Sequence, residues 1–146
     1  MLVTQKNQYA LRAIYELAKC RGQGPVKVLE IARAQNIPIR FLEVILNRIK
    51  RSGMIESKRG YTGGYMLVRD PKEIKVGDIF RAVDESLGTV ECVACQSAKT
   101  KCDYQEQCAF FPMWERVKEA IRGVFDETTV QDLLEVDEWE GGHCCM

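Results

Sequence analysis

Four cysteines stand within seventeen residues, in the order Cys92-x2-Cys95-x6-Cys102-x5-Cys108. Thiolates are soft ligands, so a set this dense suits an iron–sulfur cluster, 2Fe–2S or 4Fe–4S, and also suits a tetrahedral zinc ion. Spacing does not separate the two clusters. Zinc ribbons usually pair their ligands in two tight Cys-x2-Cys turns, and here only Cys92-x2-Cys95 is tight. A metal-free thiol switch is the third use open to the same residues. The chain holds seven cysteines, an odd number that cannot pair completely. Cys20, at the end of a predicted helix, reads as a small apolar packer. His143-Cys144-Cys145 reads as a tail, because vicinal cysteines bond to each other poorly.

The elements before the cysteines must place them. Thr4 is the N-cap of a first helix to about Cys20, with Ala10, Ala13, Ile14, Leu17 and Ala18 at helical spacing. Gly22, Gly24 and Pro25 end it. A short helix over Val28–Ala34 meets a break at Gln35-Asn36-Ile37-Pro38. Asn36 tolerates the left-handed conformation of a tight turn, Ile37 plugs the core, and Pro38 suits a helix start. The third helix, Ile39 to Arg51, has the stripe Phe41 or Leu42, Ile45, Leu46 and Ile49, which turns Arg40, Glu43, Asn47 and Lys50 outward. Two short helices across a tight turn follow the helix-turn-helix plan. Strand-formers at 54–58 and 65–69 flank the glycine-rich basic tip 59–64 and predict a hairpin, the wing. A further helix covers Val76–Ala82.

After the cysteines, Phe110, Trp114, Val117, Ile121 and Val124 line one stripe of a helix from Cys108 to Phe125, with Pro112 in its first turn. So long an apolar helix exceeds what its short neighbours can cover. A two-fold pairing of this helix in a homodimer would bury it and supply two readers for a palindromic operator. A short acidic helix over Val130–Val136 follows. The predicted fold is mainly α with a small β-hairpin. Residues 1–86 form the winged helix-turn-helix region, 87–108 the cysteine-rich cofactor loop, 109–136 the dimerisation and terminal helices, and 137–146 a flexible tail.

Net charge is zero, yet it is polarised. Arg40, Arg48, Lys50, Arg51, Lys58 and Arg59 face only Glu43 and Glu56 in their stretch, whereas 126–140 holds seven acids and no base. A basic pole can meet phosphate while an acidic pole stays clear. On the third helix, Glu43 can accept from a cytosine amine and Arg40 can reach guanine or phosphate. Asn47 shares that outward face. Lys50, Arg51 and Lys58 suit phosphate contacts that position without specifying. Arg59 at the wing tip suits a narrow minor groove, and Tyr61 beside it suits sugar or phosphate. The partner so described is double-stranded DNA.

The apolar content of 46% and charged content of 29% are those of a soluble globular protein. No apolar run spans a bilayer, and no signal-peptide layout opens the sequence, so a cytoplasmic location and no membrane partner are expected. Clustered cysteines in a reducing compartment favour metal or redox chemistry over structural disulfides. No nucleophile–base pair, phosphate-binding loop or carboxylate constellation points to an enzyme. A small cluster carrier is the reading from another class; it would lack the salt-dependent DNA binding of a regulator.

With these elements in order, the chain resembles the IscR/NsrR/RirA-type winged-helix iron–sulfur regulators of bacteria. The resemblance rests on Tyr9-Ala-Leu-Arg12, Phe41-Leu-Glu43, Arg59-Gly60 with Gly63-Gly64-Tyr65, Ala82-Val-Asp-Glu-Ser86 and Cys102-x5-Cys108. It implies a homodimer with recognition helices in successive major grooves and wings at adjacent minor grooves. It also implies an iron–sulfur cluster on three loop cysteines plus a variable fourth ligand, sensing redox state, nitric oxide or iron status. Phe111 stands where IscR-like members place a histidine, and Gln8 where other relatives bring an aspartate. Cys92 or Cys95 is then the natural fourth ligand.

Overall fold

The Thr4 hydroxyl accepts a hydrogen bond from the Asn7 N–H at 3.3 Å and starts α1 (Gln5–Lys19). The computed structural model describes residues 3–84 and 108–140. Ala10, Ala13, Ile14, Leu17 and Ala18 form the buried face of α1, and α2, α3 and α4 pack around it. Small residues on this face let the surrounding helices approach closely.

α2 (Val28–Gln35) opens with the Glu30 carboxylate accepting from the Lys27 N–H at 3.1 Å. It ends at Asn36 in the left-handed region (φ 51°, ψ 50°). Asn is one of the few residues with a side chain that visits this region readily. Ile37 then inserts into the core at 4% exposure, and Pro38 leads into α3 (Ile39–Arg51). The turn and both helices match the expected plan. Of the two candidates for the inner stripe of α3, Leu42 is buried and Phe41 is 63% exposed.

β1 (Ile55–Lys58) and β2 (Gly64–Leu67) pair antiparallel, from Ile55 opposite Leu67 to Lys58 opposite Gly64. The second strand therefore starts and ends earlier than the expected 65–69. A third segment joins the second strand: Val26 and Tyr65 exchange two backbone hydrogen bonds of 2.8 Å. A Cβ on Gly64 would collide with the Val26 carbonyl, so this approach requires glycine. The wing is thereby bonded to the α1–α2 connection.

Asp70 caps a 3-10 turn at Pro71–Glu73 and also pairs with Arg21 at 2.9 Å. α4 (Val76–Val83) buries Val76, Ile79, Phe80 and Val83 against α1 and α3. α5 (Phe111–Glu127) begins three residues later than expected, with Pro112 in its first turn, where a missing N–H costs nothing. α6 (Val130–Glu140) continues four residues past the expected Val136. Thr129 and Asp132 cap it reciprocally, with Thr129 N–H to carboxylate at 2.8 Å and Asp132 N–H to hydroxyl at 3.2 Å.

The α5–α6 corner is locked to the base of α4. Val76 N–H bonds the Thr128 carbonyl at 3.0 Å, and Val130 N–H bonds the Ile74 carbonyl at 2.9 Å. Phe125 meets Phe80 edge-on, with ring centroids 5.0 Å apart. Arg81 pairs with both Asp78 and Asp126 at 2.8 Å. Along the rest of α5 the apolar stripe finds little cover. No residue of the helix is buried, and Phe110, Met113 and Val124 are exposed.

Candidate nucleic-acid interface and cysteine segment

The buried stripe of α3 dictates what the opposite side presents. Leu42, Ile45, Leu46 and Ile49 fix one face inward, so Arg40, Glu43, Asn47, Lys50 and Arg51 all emerge exposed. Lys50 Nζ lies 2.6 Å from Ser57 Oγ, joining the end of α3 to β1. Lys58 and Arg59 follow at the start of the wing tip, also exposed. Tyr61 is 92% exposed, and Lys27 Nζ sits 5.0 Å from the centre of its ring. The structure thus brings the eight expected DNA-contact residues onto α3 and the adjoining wing. Among the described residues, Arg40, Arg51, Lys58, Arg59 and Glu43 enter no ion pair. The four basic side chains remain available to a polyanion, and the Glu43 carboxylate remains free to accept from a base amine.

Four residues acquire roles that periodicity alone did not give them. Lys27 joins the basic surface through its contact with the wing tip. Val44 and Phe41 stand exposed on α3 among the polar residues. Arg48 belongs to the basic stretch by sequence, and while its side chain stays exposed its guanidinium donates to the Val83 carbonyl at 2.8 Å. Val44 was open to discovery from the helical wheel, since it lies four residues after Arg40 and three before Asn47. Nothing local to Arg48 announces its long-range bond.

The bond from Arg48 reaches the last turn of α4, and the cysteine segment begins directly beyond it. Cys92, Cys95 and Cys102 lie outside the described residues, as does His143-Cys144-Cys145. Cys108 is half-buried in the turn before α5, where its carbonyl accepts from Phe111 N–H at 3.2 Å. Among the described residues no group of three or more His, Cys, Asp or Glu side chains forms a metal site. Cys20 is half-buried beside a cavity of about 20 Å³ lined also by Leu17, Val26 and Met66. Burial, followed by the Glu16 carboxylate, pushes its thiol pKa up, which suits packing rather than reactivity.

A family model described as Rrf2, iron-dependent transcriptional regulator, matches residues 3–136. The chain belongs to the Rrf2 family. This Rrf2 chain is 33% identical over 134 residues to the HTH-type transcriptional regulator IscR of Serratia proteamaculans, covering 92% of this chain and 79% of that one. The solved structure of T. potens IscR is 31% identical, with a TM-score of 0.74 over 98% of this chain and 93% of that one. CymR, described as the global cysteine regulator of B. subtilis, is 30% identical, with a TM-score of 0.75 over 93% of this chain and 98% of that one. The six helices and two-stranded hairpin of the described residues are therefore the winged-helix architecture of Rrf2 regulators. Membership makes the chain a transcriptional regulator and not an enzyme, with DNA as the implied partner. Among the described residues no helix is long and apolar enough to cross a membrane.

Proposed function

We propose that this Rrf2 chain acts in the cytoplasm as a homodimer on a palindromic operator, with its affinity set by an iron–sulfur cluster on Cys92, Cys95, Cys102 and Cys108. One observation carries the reading. The unneutralised polar face of α3 is bonded, through Arg48 and the Val83 carbonyl, to the root of the segment that carries the cysteines.

Each component has its own support. Arg40, Glu43 and Asn47 are exposed on α3 and would suit base edges, while Lys50, Arg51, Lys58, Arg59 and Tyr61 suit the backbone and minor groove on either side. The open apolar side of α5 favours a second copy, because one chain leaves Phe110, Met113 and Val124 in water. The donor set fits a soft centre: four thiols, with Phe111 in place of an imidazole, and a family described as iron-dependent. A bound cluster would supply a centre sensitive to oxidants, nitric oxide and iron supply. The chain's own part is mechanical. Arg48 holds the end of α4 against α3, and Arg81 with Phe80 holds α5 against α4.

A second reading keeps the DNA-binding surface and uses the cysteines without iron, as a zinc site or thiol switch. The similarity to CymR, a cysteine regulator, favours it. The deciding measurement is a visible spectrum of protein purified without oxygen, with iron, sulfide and zinc quantified on the same sample. A broad visible band with matched iron and sulfide, lost in Cys102→Ala, is expected. Stoichiometric zinc, or no metal after reconstitution, would replace the cluster reading with the second one. Duplex affinity that does not fall with rising salt would remove the DNA-binding reading itself.

A further inference from the structure

We propose that Val44 is a base-reading residue that recognises the C5-methyl group of a thymine in the major groove. This rests on the proposed docking of α3 against DNA and adds to it a specific ligand chemistry. At 100° per residue, Val44 lies about 200° around the α3 axis from the buried Leu42. Arg40 and Arg51 lie within about 40° of it, and Asn47 within about 60°. Val44 is thus near the centre of the outward face, 55% exposed.

Helix formation does not explain this residue. A β-branched side chain is a mediocre helix former, and at an exposed position no packing compensates for it. What valine offers is a rigid apolar knob, held in one dominant rotamer in a helix. Its neighbours fix the occupant. Arg40 and Arg51 on the same face form no ion pair among the described residues, and Asn47 carries the amide that pairs with adenine. An apolar protein surface would not match so polar a surround. A duplex major groove does, because it offers phosphates, base edges and one apolar group, the thymine methyl. Phe41 lies about 60° further round, on the Arg48 side, toward the wall of such a groove and away from its floor.

The test selects binding duplexes from a random library with full-length protein, both as purified without oxygen and after iron removal. Each thymine of the enriched duplex is then replaced singly by deoxyuridine, which removes only the methyl. Wild type is expected to lose about fourfold in affinity at one thymine per half-site, the value of one buried methyl. Val44→Ala is expected to lose that discrimination, and Phe41→Ala to keep it. Selection with Val44→Gln is expected to change the preferred base at that position. Thymine and uracil duplexes bound equally by wild type would overturn the assignment while leaving the DNA-binding reading intact. No enriched duplex from either form would overturn both.

Discussion

Replacing Gly64 by alanine tests how the wing is held. The new Cβ would collide with the Val26 carbonyl oxygen and carbon, and would lie 3.0 Å from the Lys27 nitrogen. All three are backbone atoms, so no rotamer change relieves the contact. The strand must withdraw, and the two 2.8 Å bonds between Val26 and Tyr65 are the first to break. At about 1 kcal/mol net for each bond the loss is about 2 kcal/mol. For a chain of this size that corresponds to a melting temperature lower by about 4–8 °C. Urea and thermal midpoints at one fixed protein concentration measure the loss, since dimerisation would make both depend on concentration. Hydrogen exchange locates it: the amides of Val26 and Tyr65 should be slow in the wild type and fast in the variant. The wing tip with Arg59 and Tyr61 would lose its anchor, so operator affinity should fall as well. A variant that melts within about 1 °C of wild type, with both amides still protected, would refute the steric argument.

Leu42→Ala should cost about 2–5 kcal/mol in urea unfolding, whereas the adjacent Phe41→Ala should stay within about 0.5 kcal/mol. Similar costs for the two would mean that α3 is rotated from the orientation described. Arg59→Ala should weaken operator binding by about 1–3 kcal/mol in an anisotropy titration, and equal affinities would count against the wing contact. The Thr129 N–H and hydroxyl hold the Asp132 carboxyl below its ordinary pKa, and the Lys72 N–H, with Arg21, does the same for Asp70. A lowered folded-state pKa contributes stability that is present above about pH 4 and is lost as pH falls through the folded value. Asp70→Asn with Asp132→Asn should therefore flatten the acid limb of a stability–pH curve, and an unchanged limb would show that neither cap matters. Arg48→Met keeps the side-chain stem and removes the donor to Val83. The affinities of the cofactor-loaded and depleted forms for one duplex should converge in this variant, and an unaltered ratio would exclude this bond as the link.

Residues with a single physical use were the legible ones. Asn36, Ile37 and Pro38 each do what their chemistry favours in the turn, and the start of α3 follows from them. Periodicity left Phe41 and Leu42 open because adjacent residues differ by only 100° on a helix whose stripe is wide. The pairing of Val26 with Tyr65 was hidden for a different reason. It is one isolated bridge between distant segments, with no run of strand formers around Val26. Arg48 sits on the flank of α3, where a long side chain can reach solvent or fold back, and only the placement of α4 decides. The thiol chemistry of Cys92, Cys95 and Cys102 rests on sequence, while Cys108 is placed at the foot of α5.

α4 is where these threads meet. Its first turn is bonded to the α5–α6 corner through Val76, and in the same turn a Cβ on Gly77 would meet the Asp126 carboxylate of α5. Its last turn is bonded to α3 through Val83. The cysteine segment leaves from the end of α4 and returns into α5, so both of its flanks are fastened to one eight-residue helix. A ligand that draws the four cysteines together would act on Asp84 at one end and Cys108 at the other. A shift at the Asp84 end is resisted first by the Arg48–Val83 bond, which carries it to the face that holds Arg40, Val44 and Asn47. A shift at the Cys108 end would move the apolar stripe of α5, the side proposed above to meet a second copy. Occupancy of the cysteines would therefore bias both the presentation of α3 and the pairing of subunits, to the extent that the ligand prefers one arrangement over the other. That dependence makes Arg48, remote from the cysteines in sequence, the more informative residue to change.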